Sequence, residues 1–215
     1  MKKMNKAFWI LLAVGLVSLA ALGVLYPSLP EQVPTHWNVY GEIDGWGDRW
    51  MVLLLGALAP VMTLLMWVVP RIDPRKQNYE KSMGPYLVIT VFITLLMMGC
   101  GWCSALTALG WKIPVGRIIP LLIGIMFVAL GNLMPRIRST YMFGIRTPWT
   151  LASDTVWKKT HRLGGICFCI SGLTFCLAAV IPGIWTFAIS IGFILLSTLF
   201  TFIYSWYIFQ KEQRK

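Results

Sequence analysis

The residues able to do chemistry in this 215-residue chain fall into two stretches and one pair. The first stretch runs from Gly131 to Gly165 and reads GNLMPRIRSTYMFGIRTPWTLASDTVWKKTHRLGG. Six cations (Arg136, Arg138, Arg146, Lys158, Lys159 and Arg162) face one acid there, Asp154. Such a set suits capture of an anionic group or docking of a partner protein. The second stretch, Tyr26 to Arg49, reverses the sign: Glu31, Glu42, Asp44 and Asp48 against Arg49 give it a charge of −3. It also carries His36, Trp37 and Asn38. The pair is Cys100-Gly-Trp-Cys103, which has the spacing of a redox or metal site. No second pair or nearby histidine completes a zinc set around it, so the reading is of small, soft residues packed between helices. His36 with Glu42 and Asp44 is likewise thin for a metal, and neither a metal nor another cofactor is assigned.

The elements that position these residues follow from composition. Hydrophobic residues make up 57% of the chain and charged residues 13%, against about 25% charged in a soluble domain. The mean hydropathy is +0.70. Six runs reach the ~20 residues that a helix needs to cross ~30 Å of hydrocarbon. They are roughly Ala7–Leu25, Trp50–Val69, Pro85–Leu109, Pro114–Leu133, Gly164–Ile181 and Ile184–Phe209. The fold class is therefore an all-α integral membrane protein, a six-transmembrane-helix bundle. The first run is longer than the ~7–15 apolar residues of a cleavable signal and reads as a retained helix.

The net charge of +11 is a statement about topology, not nucleic acid. Sixteen of the 19 positive residues flank the amino terminus, the ends of spans two and four, and the carboxy terminus; only Arg49, Lys112 and Arg117 lie towards the other side. Positive residues in short loops stay cytoplasmic. Both termini and the Gly131–Gly165 segment are thus expected inside, with Tyr26–Arg49 as a small external cap. His36 and His161 then lie on opposite sides of the membrane, which removes a shared catalytic centre. No carboxylate, histidine or lysine sits within the apolar runs, as proton-coupled transport would require.

The external stretch, with three prolines and three glycines between Tyr26 and Arg49, favours turns and extended pieces. On the inner side, Pro135 should end span four, and Gly144–Thr150 reads as a turn. Ser153 is a good N-cap for a helix opening at Asp154. Val156, Trp157, Thr160, Leu163 and Gly164 share one face of that helix and Lys158, Lys159 and Arg162 the other. That pattern predicts an amphipathic helix in the interface plane feeding span five. Small residues in spans two to four (Gly56, Ala57, Ala59, Gly99, Gly101, Ala105) permit close helix packing.

Three runs in the inner segment resemble the signature of the SdpI family of bacterial membrane immunity proteins. They are Gly131–Pro135, Gly144–Leu151 (GIRTPWTL) and Val156–Gly165 (VWKKTHRLGG). The external stretch, with Pro30, Pro34, His36-Trp37-Asn38, Gly41 and Asp44-Gly45, resembles the small domain of unknown function often fused ahead of that signature; Gly47-Asp48-Arg49 departs from its usual pattern. The resemblance implies two modules: residues 1–84, two helices with external loop 26–49, and residues 85–215, four helices with cytoplasmic loop 134–163. It further implies a multipass plasma-membrane (inner-membrane) protein, not an enzyme, protecting its cell against a secreted, membrane-active peptide toxin. In the namesake system the protein also holds a small autorepressor at the membrane. On this reading the toxin meets His36, Trp37, Asn38, Gly41 and Asp44 outside. Asn132, Arg146, Thr147, Pro148, Trp149, Trp157, Lys158, Lys159, His161 and Arg162 form an inner surface for a repressor. Partners are membrane lipids, the peptide toxin and the repressor, with no direct nucleic acid. The rival is a lipid- or peptide-handling transporter or enzyme whose inner loop holds a phosphate-bearing headgroup.

Overall fold

The computed structural model describes the backbone of residues 2–214 and the side chains of residues 6–214. Eight α-helices and one hairpin follow in the order α1 Lys2–Leu25, β1 Gln32–Trp37, β2 Ile43–Asp48, α2 Trp50–Ile72, α3 Gln77–Lys81, α4 Met83–Ala108, α5 Val115–Leu133, α6 Pro148–Ala152, α7 Asp154–Val180 and α8 Ile184–Gln213. Six of the helices (α1, α2, α4, α5, α7 and α8) are long and apolar enough to cross a membrane. Their outer faces stay open: Leu195 is 64% and Leu196 65% exposed. In water such surface would be driven inward, whereas lipid tails solvate it. The chain is a multipass membrane protein.

Packing divides the helices into two groups joined in the middle. α4 rests chiefly on α2, and also on α1 and β1, while α7 rests on α5 and α8; α4 and α5 make the link. The closest approach is between α5 and α7, and glycine permits it. A Cβ on Gly131 would lie 2.5 Å from the Gly165 carbonyl oxygen, and one on Gly124 would lie 2.8 Å from that of Gly172. The pairs Gly131/Gly165 and Gly124/Gly172 lie seven residues, about two turns, apart on each helix, running in opposite directions. Of the small residues expected to matter in spans two to four, Gly101 packs against Gly56, where a Cβ on Gly101 would lie 3.1 Å from the Gly56 backbone. A Cβ on Gly99 meets nothing within 4 Å.

Between α7 and α8 hydroxyls take over: the Oγ atoms of Ser171 and Ser197 lie 3.4 Å apart. On α8, Ser190, Ser197, Thr201 and Ser205 are all buried, a polar seam of the kind that joins helices in lipid.

The external stretch folds as an antiparallel hairpin. Its turn is built around Asn38, whose Oδ1 accepts the N–H groups of Tyr40 at 2.9 Å and Glu42 at 3.1 Å. Gly41 supplies the positive φ of 82° that closes it. Val33 is fully buried with Leu22, Leu29, Val52 and Ala105, and the Ser104 hydroxyl donates to the Pro34 carbonyl at 2.6 Å. The hairpin is therefore bolted to α4 at the opposite end of the bundle from the α5–α7 connection.

Two expectations for the other end are corrected. Residues from Asp154 do not form a separate helix in the interface plane, because α7 runs unbroken to Val180. The run Gly144–Thr150 is a turn only as far as Thr147; Pro148 opens α6, where its fixed φ suits a first helical position. The connection after α2 contains the short helix α3.

Candidate functional site

The α5–α7 connection is a folded ledge, held from three directions. Pro135 ends α5 in a 3-10 turn, Met134–Arg136. The next residues are held by the α2–α4 connection. Asp73, 2% exposed, accepts the N–H groups of Tyr141 and Met142 on one carboxylate oxygen, each at 2.9 Å. The same oxygen accepts the Tyr79 hydroxyl at 3.0 Å, and its twin accepts the Arg75 N–H at 2.7 Å. Charge-assisted bonds of this type are the strong ones. Burial pushes the Tyr79 phenol above its ordinary range, with a lesser rise from the Asp73 charge, so the hydroxyl stays a donor.

Arg75 reaches further across. It donates to the Ser139 hydroxyl and, at 3.1 Å, to the Leu151 carbonyl. Its guanidinium lies 4.7 Å from the Tyr141 ring centroid. Asn78 donates to the Ser139 carbonyl at 2.6 Å and Ser82 accepts the Arg138 N–H at 2.8 Å. Four residues of the α2–α4 connection thus hold the first part of the ledge.

The second support is α7. Trp157, 2% exposed, and His161, 0% exposed, stack with centroids 4.0 Å apart. The Trp157 indole donates to the Ile137 carbonyl at 2.8 Å. His161 Nε2 accepts the Ile145 N–H at 3.0 Å, and its Nδ1 lies 2.9 Å from the Trp157 carbonyl. A carbonyl can only accept, so Nδ1 carries the proton and the ring is neutral. Gly144 passes directly over this stack with φ of 112°, where a Cβ would come within 2.5 Å of His161 Nε2.

The third support is α8. Thr147 and Thr150 form a reciprocal capping box at the start of α6, and the Thr147 hydroxyl lies 3.0 Å from that of Ser205. Trp149 packs edge-on to Phe202 at 5.0 Å. Ser153 caps α7 as its sequence predicts, accepting the Val156 N–H at 3.3 Å, and donates to Glu212 at 2.6 Å.

The residues expected to face an inner partner therefore divide. Thr147, Trp157 and His161 are turned into the protein and serve as its framework, which removes them from any docking face. Arg146, Pro148, Lys158, Lys159, Arg162 and Asn132 are exposed, and Trp149 is half-buried. Asp73, Arg75, Asn78 and Ser82 were not among the expected site residues. Their connection reads as a basic turn, and the signal for Asp73 was its position: an acid followed by proline between two spans.

At the other end, the hairpin roofs an apolar cavity of about 280 Å³. His36, Trp37 and Asn38 line its wall from the hairpin, and Leu55, Cys100, Cys103, Ile119 and Phe187 are among the helix residues that complete it. All five cysteines are free thiols. His36 and Asp44 pair at the exposed surface, Nδ1 to Oδ1, at 2.5 Å. Asn38 and Gly41 shape the turn, which rests on α5: a Cβ on Gly116 would lie 2.9 Å from Gly41 Cα. No group of three or more histidine, cysteine or acidic side chains among the described residues is placed to hold a metal.

Residues 136–205, which contain the whole ledge after the first turn, match the SdpI/YfhL protein family. The chain resembles that family over this segment. Residues 4–59, from α1 through the hairpin into α2, match a domain of unknown function, DUF1648. The chain is also similar to the immunity protein SdpI of Bacillus subtilis (strain 168), at 24% identity over 192 residues, covering 87% of this chain and 88% of the relative. No solved structure matches it. The family match ends at Ser205, the α8 residue that meets Thr147, and Glu212, which accepts the Ser153 hydroxyl, lies beyond it.

Proposed function

We propose that this protein is a plasma-membrane immunity protein that protects its cell against a secreted, membrane-active peptide toxin. The observation that carries the reading is similarity to an immunity protein along nearly the full length of both chains. The hairpin supplies the chemistry such a role needs. It is acidic, with a charge of −3 over Tyr26–Arg49, and complementary charge speeds the encounter with a cationic peptide. Beneath it lies the apolar cavity of about 280 Å³, large enough for one or two hydrophobic side chains of the peptide. By the distribution of positive residues the hairpin faces outward and the ledge faces the cytoplasm.

On this reading Arg146, Trp149, Lys158, Lys159 and Arg162 present an inner surface to a repressor protein, and the protein reports as well as protects. The framework of Asp73, Trp157 and His161 keeps that surface in one arrangement. The proposed role is non-enzymatic. The test is direct. Cells lacking the gene, challenged with the peptide products of neighbouring genes, should be killed at lower doses than cells expressing it. Equal sensitivity in both strains rejects immunity and leaves lipid or peptide handling as the better reading.

A further inference from the structure

A second cavity, of about 760 Å³, lies on the ledge side between the two helix groups. Its volume falls within the ~300–1,000 Å³ of small-molecule sites. Its wall is cationic: Lys81 from the end of α3, Arg136 and Arg138 from the turn after α5, and Lys158 from the first turns of α7. One acid, Asp154, also lines it. Among the described residues none of those four cationic side chains hydrogen-bonds or ion-pairs within the protein.

Three of these cations lie at or near the ends of candidate spans. Arg136 closes one candidate span, Lys81 precedes another that opens at Met83, and Lys158 follows the opening of a third at Asp154. The cavity thus sits where hydrocarbon gives way to headgroups. Four cations around one concavity repel each other, and a bound anion relieves that repulsion while its own desolvation is offset by arginine forks. Simple anchoring to anionic lipid requires positive charge near the surface, but it does not require a shaped cavity with its cations drawn from three separate elements.

We infer that this cavity is a binding site for a phosphate-bearing anion, supplied either by the headgroup of an anionic phospholipid or by a soluble phosphate ester. The phosphate is held by Arg136, Arg138, Lys81 and Lys158, away from Asp154. Because the cavity wall joins α3 to the ledge, its occupant bridges the two helix groups. This site is independent of the immunity reading.

The full chain in neutral detergent tests it. Phosphatidylglycerol and, in parallel, glycerol 1-phosphate are titrated while thermal unfolding and lipid retention in native mass spectra are followed. Arg136→Gln with Arg138→Gln should weaken the bound phosphate at least tenfold, about 1.4 kcal/mol. Lys76→Gln with Arg214→Gln, which removes two exposed charges outside the cavity, should leave it within twofold. Saturable binding of the lipid alone identifies a headgroup site; binding of the soluble ester identifies a phosphate-ester site. Equal loss in the two double variants, or no saturable binding of either compound to the unaltered chain, overturns the proposal. Arg136→Gln alone and Lys81→Gln serve if the double variant unfolds at a lower temperature without ligand.

Discussion

The Nε2 atom of His161 accepts the backbone N–H of Ile145 at 3.0 Å. A helix residue thereby satisfies a loop amide across the ledge, and the histidine's role is fixed by that bond. Its other nitrogen is committed to the Trp157 carbonyl, so protonating the ring would set two donors against each other. His161→Phe keeps the bulk and the stack on Trp157 but leaves the Ile145 N–H without an acceptor. An orphaned buried donor costs about 1–3 kcal/mol. Amide hydrogen exchange at Ile145 should accelerate accordingly, while exchange in α8 stays unchanged; unaltered exchange at Ile145 would contradict the assignment.

Asp73→Ala removes the acceptor for two ledge amides, the Tyr79 hydroxyl and the Arg75 N–H. The expected loss is about 3 kcal/mol, since bonds to a charged group contribute ~1.5–3 kcal/mol each and some are replaced by water. Insertion of the spans should survive, because no candidate span contains Asp73. Limited proteolysis should then cut within 137–146 while the helices remain protected.

Tyr79 makes this contact sensitive to alkaline pH. Its folded pKa is raised above the ordinary value of 10.0 by burial, so the protonated form is favoured in the folded state. The stabilisation is complete below pH 10 and is lost as pH rises above it. Thermal unfolding followed from pH 8 to pH 11 should show a fall that Tyr79→Phe reduces. Parallel profiles for the two proteins would remove Tyr79 as a contributor.

The α5–α7 contact makes a sharp distinction between glycines. Gly131→Ala places a methyl group 2.5 Å from the Gly165 carbonyl, which forces the helices apart and should destabilise by about 1–3 kcal/mol. Gly99→Ala meets nothing within 4 Å and gains helix propensity. Unfolding temperature in detergent should fall for the first and hold or rise for the second.

For the proposed immunity role, Leu55→Trp fills the cavity beneath the hairpin without touching its acidic surface. Protection should drop by at least tenfold in the toxin dose tolerated, with the protein still present in the membrane at its usual level. Undiminished protection would place peptide recognition elsewhere.

What the sequence determined by itself was local or additive. Hydropathy over ~20 residues marks a span wherever it occurs, and all six fall in the positions expected. Pro135 stops a helix and Ser153 starts one for reasons contained in a few neighbouring atoms. Lys158, Lys159 and Arg162 lie on the exposed face of α7 because helical spacing separates them from Val156, Trp157 and Thr160. The tertiary structure alone decided which partners met. In lipid the outer face of a helix is as apolar as its packed face, so periodicity does not mark the contact stripe, and the pairing of Gly131 with Gly165 was invisible. Asp73 reads as one acid in a basic turn; only the approach of Tyr141 and Met142, 68 and 69 residues away, makes it the anchor of the ledge. His161 and Trp157 carry the residue types of a docking surface, yet they are buried, because Gly144 brings the loop backbone across them. Sequence spacing assigns a side chain to a helix face, but whether that face meets water, lipid or another segment depends on contacts between residues far apart in the chain.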